Sequence, residues 1–531
     1  MSRASRRRQQ ARVPVQPQAG RGQRMQNSGY SHHGASRSKR ALVGWLFGGG
    51  SPIEDIDANL STLQQRGRDL YMGVPLATGA IKRLRTSVVG AGLQLKSQPD
   101  AETLGISQEE AYAKSRIIER EFRLFSGIDC DIARQNKFAE LQQLAMLAWP
   151  MSGDVFALLP IIPRPHSIYD LRIKLLEADR VCNPGVSAYS ALGSQVQLAE
   201  NGNLISQGVE VTPEGEVVAY HVAQRHPLSL QFSAGQKQGW ERVEIYGRQT
   251  GRRNIIHLFN AERPEQHRGV PLLSPVIETL KQLGRYTDAE LIAAVVSGMF
   301  TAFITSDTPQ TPLGESVPLD QQVAAGDPNS IEMGNAAVIG LNPGEKVETA
   351  NPGRPNTAFD GFVTALARFI GAALEIPYEV LMMSFNSSYS ASRAALLEFW
   401  KMCRMFRSWL AQGFCQPVFE EFLAEAVAKG RIDLPGFFDD PIIRQAWCNA
   451  VWNGPAPGHI QPLQEAKAAE MRIALAISTG AQEAQEANGS DIYANIRENG
   501  QENQARIAQG LPPLGVATPT IEELNALVAA G

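Results

Sequence analysis

Eight histidines, His32, His33, His166, His221, His226, His257, His267 and His459, are the first residues to weigh for chemistry. None forms His-Glu-x-x-His, His-x-His or another spacing that aims two imidazoles at one metal ion. His221 and His257 fall inside strand patterns, where a hydrogen-bonded structural histidine is the expected role. Cys130, Cys182, Cys403, Cys415 and Cys448 form no Cys-x-x-Cys, which argues against a zinc cage or a disulfide framework and for a reducing compartment. Asp55-Ile-Asp57-Ala-Asn59 opens like a calcium loop but continues with Leu60 in place of glycine and Arg66 in place of glutamate. Gly340 to Lys346 has the wrong spacing for a phosphate-binding loop, and Gly90-Ala-Gly92 follows a helical pattern and lacks a third glycine at Leu95. There is no Gly-x-Ser-x-Gly elbow. Asp439-Asp440 and Glu420-Glu421 read as solvated surface rather than nuclease ligands. The residues therefore predict no catalytic site, no metal and no cofactor, and lean toward a structural or binding role.

One polar stretch remains. Ile376 to Ser390 breaks two helical patterns, Thr357 to Glu375 and Ala391 to Lys429. In the second, Leu396, Phe399, Cys403, Phe406 and Leu410 recur at 3-4-3-4 spacing, a seam for core packing or a subunit interface. Ser390 or Ser392 is placed to cap its start and Lys429-Gly430 to end it. Asn386, Ser387, Ser388, Tyr389 and Ser390 offer hydroxyl and amide groups that touch phosphates without reading bases. The alternative stays open: Tyr389 packs into the helix and the serines only cap it.

The elements around this break form an α+β chain, mainly α. Helices are expected at Pro75 to Val89, from Ser107 (boxed with Glu110) to Phe125, at Lys137 to Trp149 and at Pro271 to Phe300. Strands are expected at Val155 to Ile162, Leu171 to Val181, Gly208 to Val222 (a hairpin turning at Pro213-Glu214-Gly215) and Ile255 to Phe259. The longest apolar run, Leu291 to Ile304, is fourteen residues. A membrane span needs about twenty, so it reads as a buried helix leading into a strand. Ala336 to Glu348 reads as strand, turn, strand. Beyond Gly430 come helices at Ile442 to Val451 and Pro462 to Ser478, then an Ala-rich tail capped by Thr520 and Glu523.

Charge is uneven. Residues 1–40 hold ten Lys and Arg and no acid, leaving 40 basic against 54 acidic residues in the rest, a balance of −14. The stretch is expected to be disordered. It reads as an arm for nucleic acid or another acidic surface, or as a solvated tail; as a transit peptide it lacks an apolar face.

Several stretches together resemble the lambda-type portal proteins of tailed bacteriophages. They are Gly79 to Leu95, Leu176 to Pro184, Gly208-Val-Glu with Val218-Ala-Tyr-His-Val, Ile255 to Phe259 with Arg263 to Pro271, Ile376 to Arg393, and Trp452-Asn-Gly with Glu465-Ala-Lys-Ala. The match is collinear over roughly residues 55–480. It departs from the family pattern at Gln461-Pro-Leu-Gln-Glu465 and at Ser388-Tyr-Ser-Ala-Ser-Arg393.

The resemblance implies a portal fold and a ring-forming subunit, usually a dodecamer. Its parts would be a basic arm (1–54), an α+β wing (55–265), a stem helix (266–304), a β-bearing clip (305–350), a second stem helix (351–382), a tunnel loop (383–390), a spine helix (391–430) and a helical crown with tail (431–531). It implies a DNA conduit at a capsid vertex of the virion, assembled in the host cytoplasm, and no enzyme or membrane protein. The implied partners are double-stranded DNA met without sequence preference, the terminase large subunit, capsid and scaffolding proteins, and head-tail adaptors. The rival readings are a metal-dependent nuclease and a non-viral scaffold that binds acidic partners through the arm.

Overall fold

A computed structural model describes residues 40, 48–185, 196–229, 238–298, 302–306, 345–349, 358–386, 388–457, 462–488 and 492–514. The chain divides into two compact units, Met1–Ser51 and Pro52–Gly531. The expected disorder of the arm, most of the expected clip, Ser387 and the Thr520 cap lie outside the described residues.

The second unit opens with helices α1 (Ala58–Gly73) and α2 (Pro75–Val88), strand β1 (Gln94–Ser97), and helices α3 (Ala101–Leu104), α4 (Gln108–Phe125) and α5 (Phe138–Ser152). Ser107 accepts a hydrogen bond from the Glu110 N–H at 3.2 Å and starts α4 where the sequence places it. Eight strands follow: β2 (Asp154–Leu158), β3 (Lys174–Leu176), β4 (Gln197–Leu198), β5 (Leu204–Ser206), β6 (Val209–Val211), β7 (Val217–Ala223), β8 (Trp240–Glu244) and β9 (Ile255–Phe259). They form two antiparallel sheets, ordered β3-β2-β9 and β4-β5-β6-β7-β8. The expected hairpin is β6–β7, with Val209 opposite Tyr220.

Helix α6 (Ile277–Gly298) leads to strand β10 (Ala302–Ser306), which pairs antiparallel with β11 (Glu345–Thr349). The sequence joins Glu348 to an adjacent strand from Ala336; the structure pairs it with Phe303. Then come α7 (Phe359–Ala373), α8 (Tyr378–Met382), α9 (Tyr389–Leu410), a π-helical turn (Ala411–Cys415), α10 (Gln416–Ala428) and α11 (Pro441–Trp447). The helix expected to reach Val451 stops at Trp447 because Ala450–Asn453 form strand β12, paired with β1. Helices α12 (Pro462–Ala474), α13 (Gly480–Asn488) and α14 (Ile492–Ala508) close the described chain. Among the described residues no helix is long and apolar enough to cross a membrane.

One core surrounds the line α9–π-turn–α10. Phe414, Phe419 and Phe422 are fully buried there, and Phe122 of α4 meets Phe419, Phe422 and Trp452 edge-on at 5.2 to 5.8 Å between ring centroids. Edge-to-face packing suits the quadrupoles of the rings as well as filling space. The helix read as a spine, with its apolar seam, is the centre about which the first five helices and β12 pack.

The apolar run at Leu291 departs from expectation. Leu291 and Ile292 are about two-thirds exposed and Val295 about half exposed. Upstream on α6, Tyr286 faces α7, stacking on Phe359 and meeting Phe362 edge-on. At 100° per residue, Leu291, Ile292 and Val295 lie roughly opposite Tyr286 on the helix. On α7, Phe362 and Phe369 share a stripe with Ala365 and Ala372 that turns away from the buried Ala367, Ile370 and Leu374. Phe369 is 71% exposed. The periodicity correctly marks these positions as apolar, but among the described residues Leu291, Ile292, Val295 and Phe369 stay exposed.

Candidate functional site

The polar break is built from both ends. Helix α8 is fixed by the buried Val380 and Leu381 and by Arg83 of α2, which donates to the Val380 carbonyl. Met383 then takes a left-handed conformation (φ 55°), and the Ser384 N–H returns to the Glu379 carbonyl at 3.1 Å, stopping the helix. On the far side the Ser388 hydroxyl accepts from the Ala391 N–H at 3.5 Å. The cap is therefore Ser388 rather than Ser390 or Ser392, and the helix starts two residues earlier than expected. Tyr389 and Ser390 belong to its first turn. Between the C-cap Met383 and the N-cap Ser388, the irregular residues described are Ser384, Phe385 and Asn386.

Its exposed surface is also less polar than the sequence implies. Met383 is 65% exposed, Phe385 47% and Met382 38%. Asn386 is exposed, and its amide is turned back onto the Ser384 hydroxyl at 3.2 Å. No Lys or Arg lies between 383 and 390. Arg393, one turn into α9, pairs with Glu465 of α12 at 3.4 Å.

The seam residues face the other way. Phe399, Cys403, Phe406 and Leu410 are buried in the core of their own chain, and half-buried Leu396 packs against it. Phe406 meets Trp149 at 4.8 Å. Burial pushes the Cys403 thiol up to about 12, so at neutral pH it is a small apolar filler rather than a nucleophile.

The most elaborate polar arrangement in the described residues is one the sequence did not mark as a site. Arg268, 1% exposed, pairs with Asp154 Oδ2 at 2.8 Å and donates to the carbonyls of Val181 (2.9 Å), Ala178 (3.2 Å) and Gln207. Asp154 Oδ1 accepts from His257 Nε2 at 2.8 Å and from the Gly269 N–H at 2.6 Å. Burial opposes the Asp154 charge, but Arg268 and His257 outweigh it and hold the carboxyl below its usual range. The His257 imidazole is held below its ordinary value, chiefly by burial and against the pull of Asp154. The backbones of Gly153 and Gly269 cross here: a Cβ on Gly153 would lie 2.5 Å from the Gly269 oxygen, and one on Gly269 would sit on the Gly153 carbonyl.

Neighbouring residues extend the joint. Asn183 Oδ1 accepts the Gly208 N–H at 2.6 Å, Asp179 pairs with Arg68 of α1, and Arg180 donates to the Ala223 carbonyl at 2.9 Å. The stretches Leu176 to Pro184 and Arg263 to Pro271, singled out in the sequence as pattern, thus lock the two sheets to the start of α6. The arginine between His267 and Gly269 was the available signal, but its partners lie about a hundred residues away. His221 accompanies Glu210 at 3.2 Å, a second structural histidine. Glu421 is not solvated surface: it is 6% exposed, pairs with Arg252 at 3.0 Å and accepts the Arg253 N–H. Asp440 caps α11. Among the described residues no three His, Cys, Asp or Glu side chains gather as a metal site would require.

A family model described as phage portal protein, lambda family, matches residues 38–407. Portal protein B of Escherichia phage lambda is 26% identical over 520 residues, 93% of each chain. The portal protein of Escherichia phage N15 is 25% identical over 507 residues, 90% of this chain and 91% of its own. Among solved structures, a chain from the neck of an empty gene transfer agent particle aligns at a TM-score of 0.45 and 14% identity, over 88% of this chain and 97% of its own. A chain from a native gene transfer agent virion aligns at 0.42 and 13%, with the same coverages. With most of its length matched by the family and both phage relatives aligned nearly end to end, the chain belongs to the lambda family of phage portal proteins.

Proposed function

We propose that copies of this chain close into a ring, the dodecamer of its family, at a capsid vertex and pass double-stranded DNA through it. The observation that carries the reading is the helix pair α6/α7. It is packed together through Tyr286, Phe359 and Phe362, yet it turns Leu291, Ile292 and Val295 outward on one helix and Phe369 on the other. Exposed apolar faces of this kind mark association surfaces. Two different faces on one hairpin favour head-to-tail contact, the interface type that closes rings.

In that ring, α6 and α7 are the stem and Met383 to Ser388 is the loop nearest DNA. A conduit must touch DNA without holding it. Lys and Arg contacts to phosphates bind with steep salt dependence, and this loop has none. Met383 and Phe385 give it an apolar, adaptable tip flanked by the weak polar groups of Asn386 and Ser388. The motor is a separate terminase large subunit that docks on the clip. Capsid, scaffolding and head-tail adaptor proteins take the outer surfaces, and the chain itself catalyses nothing.

Native mass spectrometry tests the ring directly. The wild-type chain is expected as one closed oligomer of about a dozen copies. Leu291→Asp and Phe369→Asp are expected to give monomers with an unchanged melting temperature, since neither side chain is buried in its own subunit. A wild type that stays monomeric under all conditions, or an unaffected ring in both variants, overturns the proposal.

A further inference from the structure

Two clefts meet at the π-helical turn. One, about 450 Å³, is lined by Asp100, Thr103, Gln416, Glu420, Gln445 and Asn449. The other, about 350 Å³, is lined by Trp400, Arg404, Val451, Pro455, Pro457 and Gln485. Gln412 and Ala450 belong to both, so the clefts continue into each other across the turn. Single π-turns inside helices recur at functional sites. Within the turn, Gly413 sits where a Cβ would collide with Leu258 of β9, and Gln412 is at the surface where the clefts meet.

Strand β12 runs along the same line. Its one strand neighbour among the described residues is β1. Both clefts touch β12, and neither touches any residue of β1. The clefts therefore flank the free edge of β12, where an antiparallel strand leaves alternate N–H and C=O groups pointing outward. Gln412 and Gln445 line the clefts beside that edge, while Gln416 is bonded to Glu420, Cys448 and Trp452 and Gln485 to Asn453, which fixes the cleft walls. At one end Asp100 and Glu420 bring two carboxylates and no cation to the cleft, and neither is in an ion pair among the described residues. At the other end Trp400, Pro455 and Pro457 make an apolar wall.

We infer that this groove is a docking site for an extended segment of a partner protein, added as a strand to the free edge of β12. Its recognition elements are a Lys or Arg seated between Asp100 and Glu420 and a Pro or aromatic side chain against Trp400 and Pro455. Main-chain hydrogen bonds to an exposed edge supply affinity in this mode, and the pockets at its ends supply specificity. The partner is defined by charge complementarity: Asp100 and Glu420 line the acidic end and no Lys or Arg is among its lining residues.

The test uses the full-length chain and two synthetic probes, acetyl-Lys-Val-Thr-Val-Thr-Pro-Tyr-amide and the same sequence reversed, because strand direction is not fixed by the edge. Binding is read by fluorescence polarisation, and its place by a photo-crosslinking residue at position 451. One probe is expected to bind and to crosslink at 451. Changing its lysine to glutamate weakens binding at least about tenfold, and Glu420→Lys reverses that preference. N-methylating the edge-facing amides abolishes binding. Failure of both probes, binding indifferent to Glu420→Lys, or crosslinks that land on another copy of this chain would each overturn the inference. Ring size measured on the same samples is unaffected by these outcomes, so they leave the ring reading standing.

Discussion

Replacing Arg268 by methionine isolates the joint between the two sheets and the start of α6. Methionine keeps the unbranched apolar stem of the side chain but removes the guanidinium, which lies 5.3 Å from the Phe156 ring. The substitution removes the partner of a buried carboxylate, a change that costs about 3–5 kcal/mol. It also strands the carbonyls of Ala178, Val181 and Gln207, and each unsatisfied buried group adds about 1 kcal/mol or more. Against a total stability of roughly 5–15 kcal/mol, a loss of at least about 4 kcal/mol leaves the fold marginal. Urea unfolding at neutral pH measures it. Asp154→Asn in the Arg268→Met background is expected to recover part of the loss, because the uncompensated charge is gone.

The pH dependence sharpens the test. In the wild type His257 is held below its ordinary value, so the unfolded chain takes up a proton near pH 6.5 that the native imidazole refuses. Stability therefore falls as pH drops through that range. Without Arg268, the cation that repels a protonated His257 is missing and Asp154 faces the imidazole alone, so its pKa rises. The variant then gains native-state protons, and its deficit narrows between about pH 8 and about pH 5.5. A loss below about 1 kcal/mol, strict additivity with Asp154→Asn, or a deficit that widens in acid would refute the reasoning.

Other perturbations separate local from global effects. Gly269→Ala puts a methyl on the Gly153 carbonyl, where neither backbone can yield, and is expected to abolish soluble chain; Gly79→Ala, with open space on α2, should stabilise by about 0.5–1 kcal/mol in a thermal melt. Ser388→Ala removes the cap of α9 and costs about 1 kcal/mol, seen as faster amide exchange at residues 391–393, whereas Ser390→Ala has little effect. Met383→Ser with Phe385→Ser should leave ring assembly intact but lower the yield of DNA-filled heads severalfold; normal yields would remove the loop from any role in DNA retention.

Local pattern carried the elements. The capping serine at 107, the hairpin at 209–223, strand 255–259 and the helices around the break depend on side chains within a few residues of one another. Their boundaries follow from period and capping. The collinear stretches also sufficed to place the chain among phage portals. Three features needed the tertiary structure. Leu291 and Phe369 are apolar in any reading, but burial is a property of neighbours, and only packing shows that they stay exposed among the described residues. Arg268 looks like one more basic residue until Asp154, more than a hundred positions earlier, is brought to 2.8 Å. The break at 383–390 reads as Ser, Asn and Tyr, yet a cap two residues early draws Tyr389 and Ser390 into the helix and leaves Met383 and Phe385 among the exposed residues of the loop. Composition determined what the loop contains. Where the helix began, a matter of a single hydroxyl meeting a single N–H, decided what it presents.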